Sequence, residues 1–201
     1  MKNINQKSIN QFLKIFINLT DEEEKLIKER LSSVDLKPGQ PLNDLKSLPA
    51  GVYLILEGSI RLIGYDEKKE PFSLGIFIKG DLVGTKPLIR GNTDQILTAS
   101  TKTKCLILPG DLFLDFFEKK KINNLFINKV DCYELFEVAT KAQSFSNLSK
   151  VDIFNWAKKV CDKEKLDVLN LDISNPDLEA NEKKRWFVSS CNFKDKAPGS
   201  I

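Results

Sequence analysis

Gly51-Val52-Tyr53-Leu54-Ile55-Leu56-Glu57-Gly58-Ser59-Ile60-Arg61-Leu62-Ile63 reads as a strand, a glycine turn and a second strand. Val52 to Leu56 is an apolar run closed by Glu57-Gly58. Ser59 to Ile63 then alternates polar and apolar, as a half-buried strand does. The pattern continues downstream. Asp66-Glu67-Lys68-Lys69-Glu70 is a charged hairpin tip, and Phe72 to Ile78 returns along the preceding strand. Lys79-Gly80-Asp81-Leu82-Val83-Gly84 is a glycine-bracketed turn with a short strand. Ile96 to Thr101 and Lys104 to Leu108 are two more strands. Lys37-Pro38-Gly39-Gln40 and Leu48-Pro49-Ala50-Gly51 are turns. Short strands at this spacing, with turn signals between them, indicate a sandwich or barrel.

Helical patterns flank this region. Residues 8–31 read as helical, with Phe12, Ile15, Phe16 and Leu19 on one face. Thr20 caps a further helical turn with Glu23 three residues on, a capping box. Leu26, Ile27 and Leu31 form its apolar face, and Asp21 to Glu24 sit at the positive end of its dipole. After the strands, Pro109 opens a helix with Leu112, Phe113, Phe116 and Phe117 on its apolar face. Lys119-Lys120-Lys121 breaks it. A longer helix is expected from Ile122 to about Ala142, with a seam of Ile122, Phe126, Val130, Tyr133 and Phe136. Residues 144–147 read as a linker. Ser149 then caps a helix with Asp152 at the third position and Ile153, Trp156, Ala157 and Val160 on one face. Leu166 to Ile173 and Arg185 to Ser189 read as short strands around a polar loop, and residues 192–201 look open-ended. The expected domains are 1–143, a barrel with its helices, and 144–201, a small C-terminal α/β region.

Composition bounds the function. The chain has 201 residues and a mass of 22.8 kDa, enough for one or two domains of roughly 100–200 residues. No apolar run approaches the ~18 residues of a membrane span, and the N-terminus lacks a signal core. The expectation is a cytoplasmic chain. There is no histidine, which excludes Ser-His-Asp and Cys-His triads and His-ligated metal or haem centres. Net charge is +3, too balanced to imply nucleic acid by itself. Cys105, Cys132, Cys161 and Cys191 are far apart in sequence and read as small apolar residues rather than metal ligands. No catalytic residue, no metal site and no enzyme activity is expected.

The order helix, short strands, helices, together with particular residues, resembles the cyclic-nucleotide-binding domain of the catabolite-activator family. Gly51 to Arg61 looks like that family's strand–glycine–strand signature. Lys79 to Gly84 is similar to its turn into the phosphate cassette, Ala99 to Cys105 to the strand pair after it, and Pro109 to Phe113 to the start of the next helix. The resemblance covers about residues 10–140. It implies an α+β fold, an antiparallel β-roll or jelly-roll barrel with flanking helices. Gly58 and Gly80 then allow positive-φ turns at barrel corners, and Gly84 either serves as another corner or lets backbone approach a ligand. The implied ligand-binding residues are Leu82, Val83, Gly84, Thr85, Lys86, Arg90 and Gln95.

The implied ligand is a cyclic nucleotide or another anion. The family meets the ribose hydroxyl with a glutamate after the cassette glycine and the phosphate with an arginine before the next strand. Here Thr85 follows Gly84, and the arginine position falls at about Asp94 or Gln95. Pro87 interrupts the cassette. The phosphate cassette therefore reads as degenerate, with Lys86 and Arg90 as the cations in its loop.

The tail separates the functional readings. From residue 114 on, acids and bases nearly balance and Arg185 is the only arginine, unlike a DNA-reading winged helix. Arg185-Trp186-Phe187-Val188-Ser189-Ser190 with Pro198-Gly199-Ser200 is instead similar to the linker region of bacterial peptidase-containing ABC exporters. The reading is a non-catalytic sensor domain, with transporter domains as partners and with membrane association through them. The alternative is a catabolite-activator-like DNA-binding transcription regulator. In both, ligand in the barrel repositions the following helices, and Phe126, Val130 and Tyr133 form a homodimer seam or pack on their own barrel.

Overall fold

The computed structural model describes residues 5–66, 68–91, 95–123, 132–141 and 145–163. The expected strands 166–173 and 185–189, the loop between them and the exporter-like tail lie outside these residues. Two helices lead in, α1 (Gln6–Leu13) and α2 (Asp21–Arg30). Asn5 caps α1. At α2 the capping box is complete. The Thr20 hydroxyl accepts from the Glu23 N–H at 3.2 Å, and the Glu23 carboxylate accepts from the Thr20 N–H at 2.9 Å.

Seven strands follow among the described residues: β1 (Ser32–Leu36), β2 (Gly51–Glu57), β3 (Ser59–Tyr65), β4 (Pro71–Ile78), β5 (Leu82–Val83), β6 (Ile96–Ala99) and β7 (Thr103–Pro109). They build two antiparallel sheets, ordered β1-β7-β2-β5 and β4-β3-β6. Helix α3 (Thr85–Arg90) lies between β5 and β6, and α4 (Gly110–Glu118) continues from β7. Gly58 shows why the β2–β3 corner needs glycine. Its φ is +82°, and a Cβ there would sit 2.5 Å from the Lys102 carbonyl oxygen.

The alternation of β2 organises the core. Val52 and Leu54 join Leu106 and Leu108 of β7 on one face, packed with Phe12, Ile27, Phe113 and Phe116 of the helices and with Ile15, Phe16 and Leu31 just beyond the ends of α1 and α2. Tyr53 and Ile55 fall on the opposite face, as a strand period of two requires. They are buried too, so the run 52–55 is apolar without a break. Ile60, Leu62, Leu74, Leu97 and Ala99 are the buried apolar side chains of the three-stranded sheet.

Two elements differ from the sequence reading. β1 was not expected as a strand, because Ser32-Ser33-Val34-Asp35-Leu36 carries only a weak pattern. It is held by its full-length pairing with β7, from Ser32 opposite Ile107 to Leu36 opposite Thr103. The helix expected from Ile122 does not begin there. Ile122 forms a bridge with Phe16. The Ile17 N–H donates to the Lys121 carbonyl at 2.8 Å and the Asn123 N–H to the Ile15 carbonyl at 2.7 Å. Those long-range bonds satisfy the backbone in extended form and bury the Ile122 side chain.

Among the described residues, 5–65 and 71–123 make one unit. Residues 132–141 and 145–163, grouped with 66 and 68–70, make the second. The second holds α5 (Cys132–Lys141) and α6 (Lys150–Lys163). These two helices pack through aromatic rings: Phe154 meets Tyr133 at 6.3 Å between centroids and Phe136 at 5.7 Å. The expected cap of α6 is present, with the Asp152 N–H donating to the Ser149 hydroxyl at 3.1 Å. No helix among the described residues is long and apolar enough to cross a membrane.

Candidate functional site

The candidate site is the segment from Lys79 to Leu97, which the preceding and following strands hold at both ends. The Lys79-Gly80-Asp81 turn enters it. Gly80 has a φ of +97°, and its N–H donates to the Ile55 carbonyl at 2.8 Å. The Asp81 carboxylate accepts from the Ile78 N–H at 2.8 Å, and the Asp81 N–H returns a bond to the Ile78 carbonyl at 2.9 Å. The Gln11 side chain of α1 donates to the Gly80 carbonyl at 3.0 Å, so the N-terminal helix holds the same turn.

Leu82 and Val83 pair with Leu54 and Tyr53 of β2. Gly84 follows at a φ of +92°. A Cβ at Gly84 would lie 2.5 Å from the Gly51 carbonyl oxygen and 3.5 Å from Pro49. The close approach that requires this glycine is therefore to backbone of β2. Thr85 to Arg90 then turn as α3, an element not expected from the sequence. Pro87 does not interrupt it. Proline at the third helical position lacks an N–H that would have no intrahelical partner there, and its carbonyl accepts the closing bond from the Gly91 N–H at 2.9 Å. Gly91, at a φ of +71°, ends the helix.

Along α3, Thr85 and Leu88 are buried. Leu88 is part of the core cluster with Val52, Phe113 and Phe116, and a Cβ at Gly110, the first residue of α4, would touch the Leu88 side chain at 3.1 Å. Lys86 and Arg90 are half-buried and four residues apart, hence neighbours on one side of α3. Asp94 lies outside the described residues. Gln95 is buried.

One residue that positions this segment was missed from sequence. Asn43 is buried. Its side-chain amide donates to the Gln95 carbonyl at 2.9 Å, and its carbonyl oxygen accepts from the Leu97 N–H at 2.8 Å. The chain just before it lies along β6, with the Leu42 N–H donating to the Leu97 carbonyl at 2.8 Å and the Ala99 N–H to the Gln40 carbonyl at 2.9 Å. The only sequence signal was an asparagine in a loop, which marks a turn equally well.

Two hydroxyls belong to the same region. Tyr53 stands opposite Val83 and is 5% exposed. Burial, followed by the nearness of Cys105, raises its pKa. Thr85 is 8% exposed. Burial pushes the Cys105 thiol up to about 12, so it is neither a nucleophile nor a ligand as it stands. Of the dimer seam expected from sequence, Phe126 and Val130 lie outside the described residues, and Tyr133 stacks on Phe154. No group of three or more acidic or cysteine side chains placed to hold a metal occurs among the described residues.

Residues 33–120 match the family model described as cyclic nucleotide-binding domain. Among solved structures, the chain is similar to the catabolite activator protein of Thermus thermophilus (21% identity over 53% of this chain and 51% of that one, TM-score 0.43). It is also similar to a crp/fnr-family transcriptional regulator from Eubacterium rectale (17% identity over 50% and 48%, TM-score 0.46). A third is the regulatory subunit of a cAMP-independent protein kinase A from Trypanosoma cruzi bound to guanosine (21% identity over 57% and 44%, TM-score 0.45). The match spans about half the length of these structures. A search of curated proteins gives no match. Residues 33–120 are thus similar in sequence to a cyclic nucleotide-binding domain, and the fold is an antiparallel β-roll with flanking helices.

Proposed function

We propose that this chain is a non-catalytic regulatory domain whose β5–α3–β6 cassette is degenerate as a cyclic nucleotide site and signals through α4. The observation that supports this best is Leu88. It is the buried apolar residue of α3 and lies against Gly110 at the start of α4, within one cluster with Phe113 and Phe116. A ligand or partner that displaces α3 moves Leu88, and a close-packed core passes that displacement to α4 rather than absorbing it. The degenerate reading rests on Thr85. A hydroxyl bonds a ribose hydroxyl but brings no charge to it, whereas a carboxylate makes a charge-assisted bond of roughly twice the strength. The ligand class that suits Lys86 and Arg90 is an anion other than a cyclic nucleotide. The wider setting, the regulatory front of a peptidase-type exporter, rests on the resemblance of residues 185–200 alone.

Thermal unfolding with cyclic AMP, cyclic GMP and their non-cyclic counterparts tests the reading. A ligand at a hundred times its Kd stabilises by about 2.7 kcal/mol, which raises Tm by roughly 5–10 °C in a domain of this size. No shift with either cyclic nucleotide at millimolar concentration is expected. A shift of that size with one of them overturns the degenerate reading and makes the domain a second-messenger sensor. Titration with duplex DNA at low salt is the companion experiment. Binding that falls steeply as salt rises would favour the transcription-regulator reading over the exporter one.

A further inference from the structure

Among the described residues β4 is an edge strand, and its hydrogen-bonding groups can be assigned one by one. The Ser59 N–H donates to the hydroxyls of Thr101 and Thr103 at 3.1 and 3.2 Å. The Ser59 carbonyl accepts from the Ser100 N–H at 2.9 Å. Ser59 therefore faces away from β4. Antiparallel alternation then turns Ile78 and Ile76, opposite Ser59 and Arg61, toward the free edge. The outward groups of Ile78 are both taken by Asp81; those of Ile76 have no partner among the described residues. The register shifts between Leu62 and Ile63, whose partners are Gly75 and Ser73. Leu74 is thus an extra, bulged residue, and the next outward residue is Ser73. Ile76 and Ile78 are 54% and 60% exposed. Pro71 to Ile78 carries no charge, but exposed Glu70 precedes it and exposed Lys79 follows it.

We propose that this edge is the docking surface for a second copy of the same chain, paired antiparallel through β4 about a two-fold axis between Leu74 and Gly75. In that register Ser73 stands opposite Ile76 of the second copy, and symmetrically Ile76 opposite Ser73. These are the residues whose outward groups have no partner among the described residues. Pro71, which has no N–H, stands opposite Ile78, whose groups are already satisfied. Glu70 stands opposite Lys79 of the second copy, so both ends of the paired strands carry opposite charges. The bulge sets the spacing from Ser73 to Ile76, and a two-fold axis matches that spacing to itself. A regular partner strand, with outward groups every two residues, does not fit it. The pairing joins two three-stranded sheets into one of six. A self-complementary patch is what an isologous interface requires, and proline and a bulge are what keep an edge from pairing at random. This inference is independent of what the cassette binds.

Sedimentation equilibrium of the full chain up to about millimolar concentration, with charge-swap variants, tests it. The wild type is expected to show a monomer–dimer equilibrium. Glu70→Lys and Lys79→Glu each place like charges opposite one another at both ends of the pairing. Each is expected to weaken the dimer by roughly tenfold. The double variant restores opposite charges and is expected to return to within about twofold of the wild type. Both positions are exposed, and circular dichroism checks that each variant folds. A wild type that stays monomeric overturns the proposal. So does a dimer that the single variants leave unchanged, which would be held by another surface, or a double variant that fails to recover.

Discussion

Glu23 does two jobs with one carboxylate. It closes the capping box on Thr20, and it takes the Lys121 ammonium at 2.5 and 2.7 Å. The second contact ties α2 to the chain leaving α4. The Lys121 hydrogen bond, followed by that from the Thr20 backbone, holds the Glu23 carboxyl below its ordinary pKa, with partial burial opposing. The folded state therefore binds fewer protons than the unfolded one, and stability rises with pH across this titration. The contribution is fully present above the ordinary carboxylate value of about 4.3 and is lost as pH falls through the lowered folded value. Glu23→Gln isolates the effect, because glutamine still serves a capping box while the charge is gone. The variant is expected to melt below the wild type at neutral pH, with the gap closing as pH drops below about 4. Thermal unfolding across that range checks this; a gap that does not change with pH would assign the loss to packing.

At the scale of elements, α3 is the unit that joins cassette to core, and Leu88 is its one large buried apolar side chain. Leu88→Ala is expected to cost about 2–4 kcal/mol through the cavity it leaves. Hydrogen exchange should show more: amides of α3 and the first turn of α4 lose protection beyond that of β2 and β7, because Leu88 links the two helices. Uniform loss across the roll would mean that Leu88 contributes stability without coupling. This helix also shows which features were legible in the sequence. The glycines at 58, 80 and 84, the alternation of β3 and the caps at Thr20 and Ser149 are local signals, and each was readable. α3 is six residues with a proline in its first turn, too short for a periodic pattern, and Pro87 looked like an interruption. β1 and Asn43 owe their places to partners 52 to 75 residues away, Gln95 and Leu97 for Asn43 and β7 for β1. No window along the chain contains such a pair. The candidate site residues are neighbours in sequence, whereas Asn43, which fixes the far end of their segment, could come only from the fold.

For the whole molecule, the cysteines distinguish its two units. Cys105 lies in the roll, fully buried between Ile55 and Val34 in the ladder. With its pKa pushed up to about 12, only roughly one thiol in ten thousand is thiolate at pH 8. Its reaction with a thiol reagent must wait for the roll to open. Cys132 and Cys161 are half-buried on α5 and α6, a pair of short helices whose buried side chains are few, Leu135, Phe136, Ala139, Ile153 and Ala157. Helices of ten and fourteen residues have little stability of their own and depend on such packing. Under native conditions Cys132 and Cys161 are therefore expected to label ahead of Cys105, which is at least a hundredfold slower, at the rate set by opening of the roll. Peptide mass spectrometry after timed alkylation measures each site. Added denaturant should speed Cys105 with the full slope of global unfolding, since reaching it requires separating β7 from β1 or β2, while Cys132 and Cys161 respond weakly. Equal rates and slopes at all three sites would show instead that roll and helical pair open as one cooperative body.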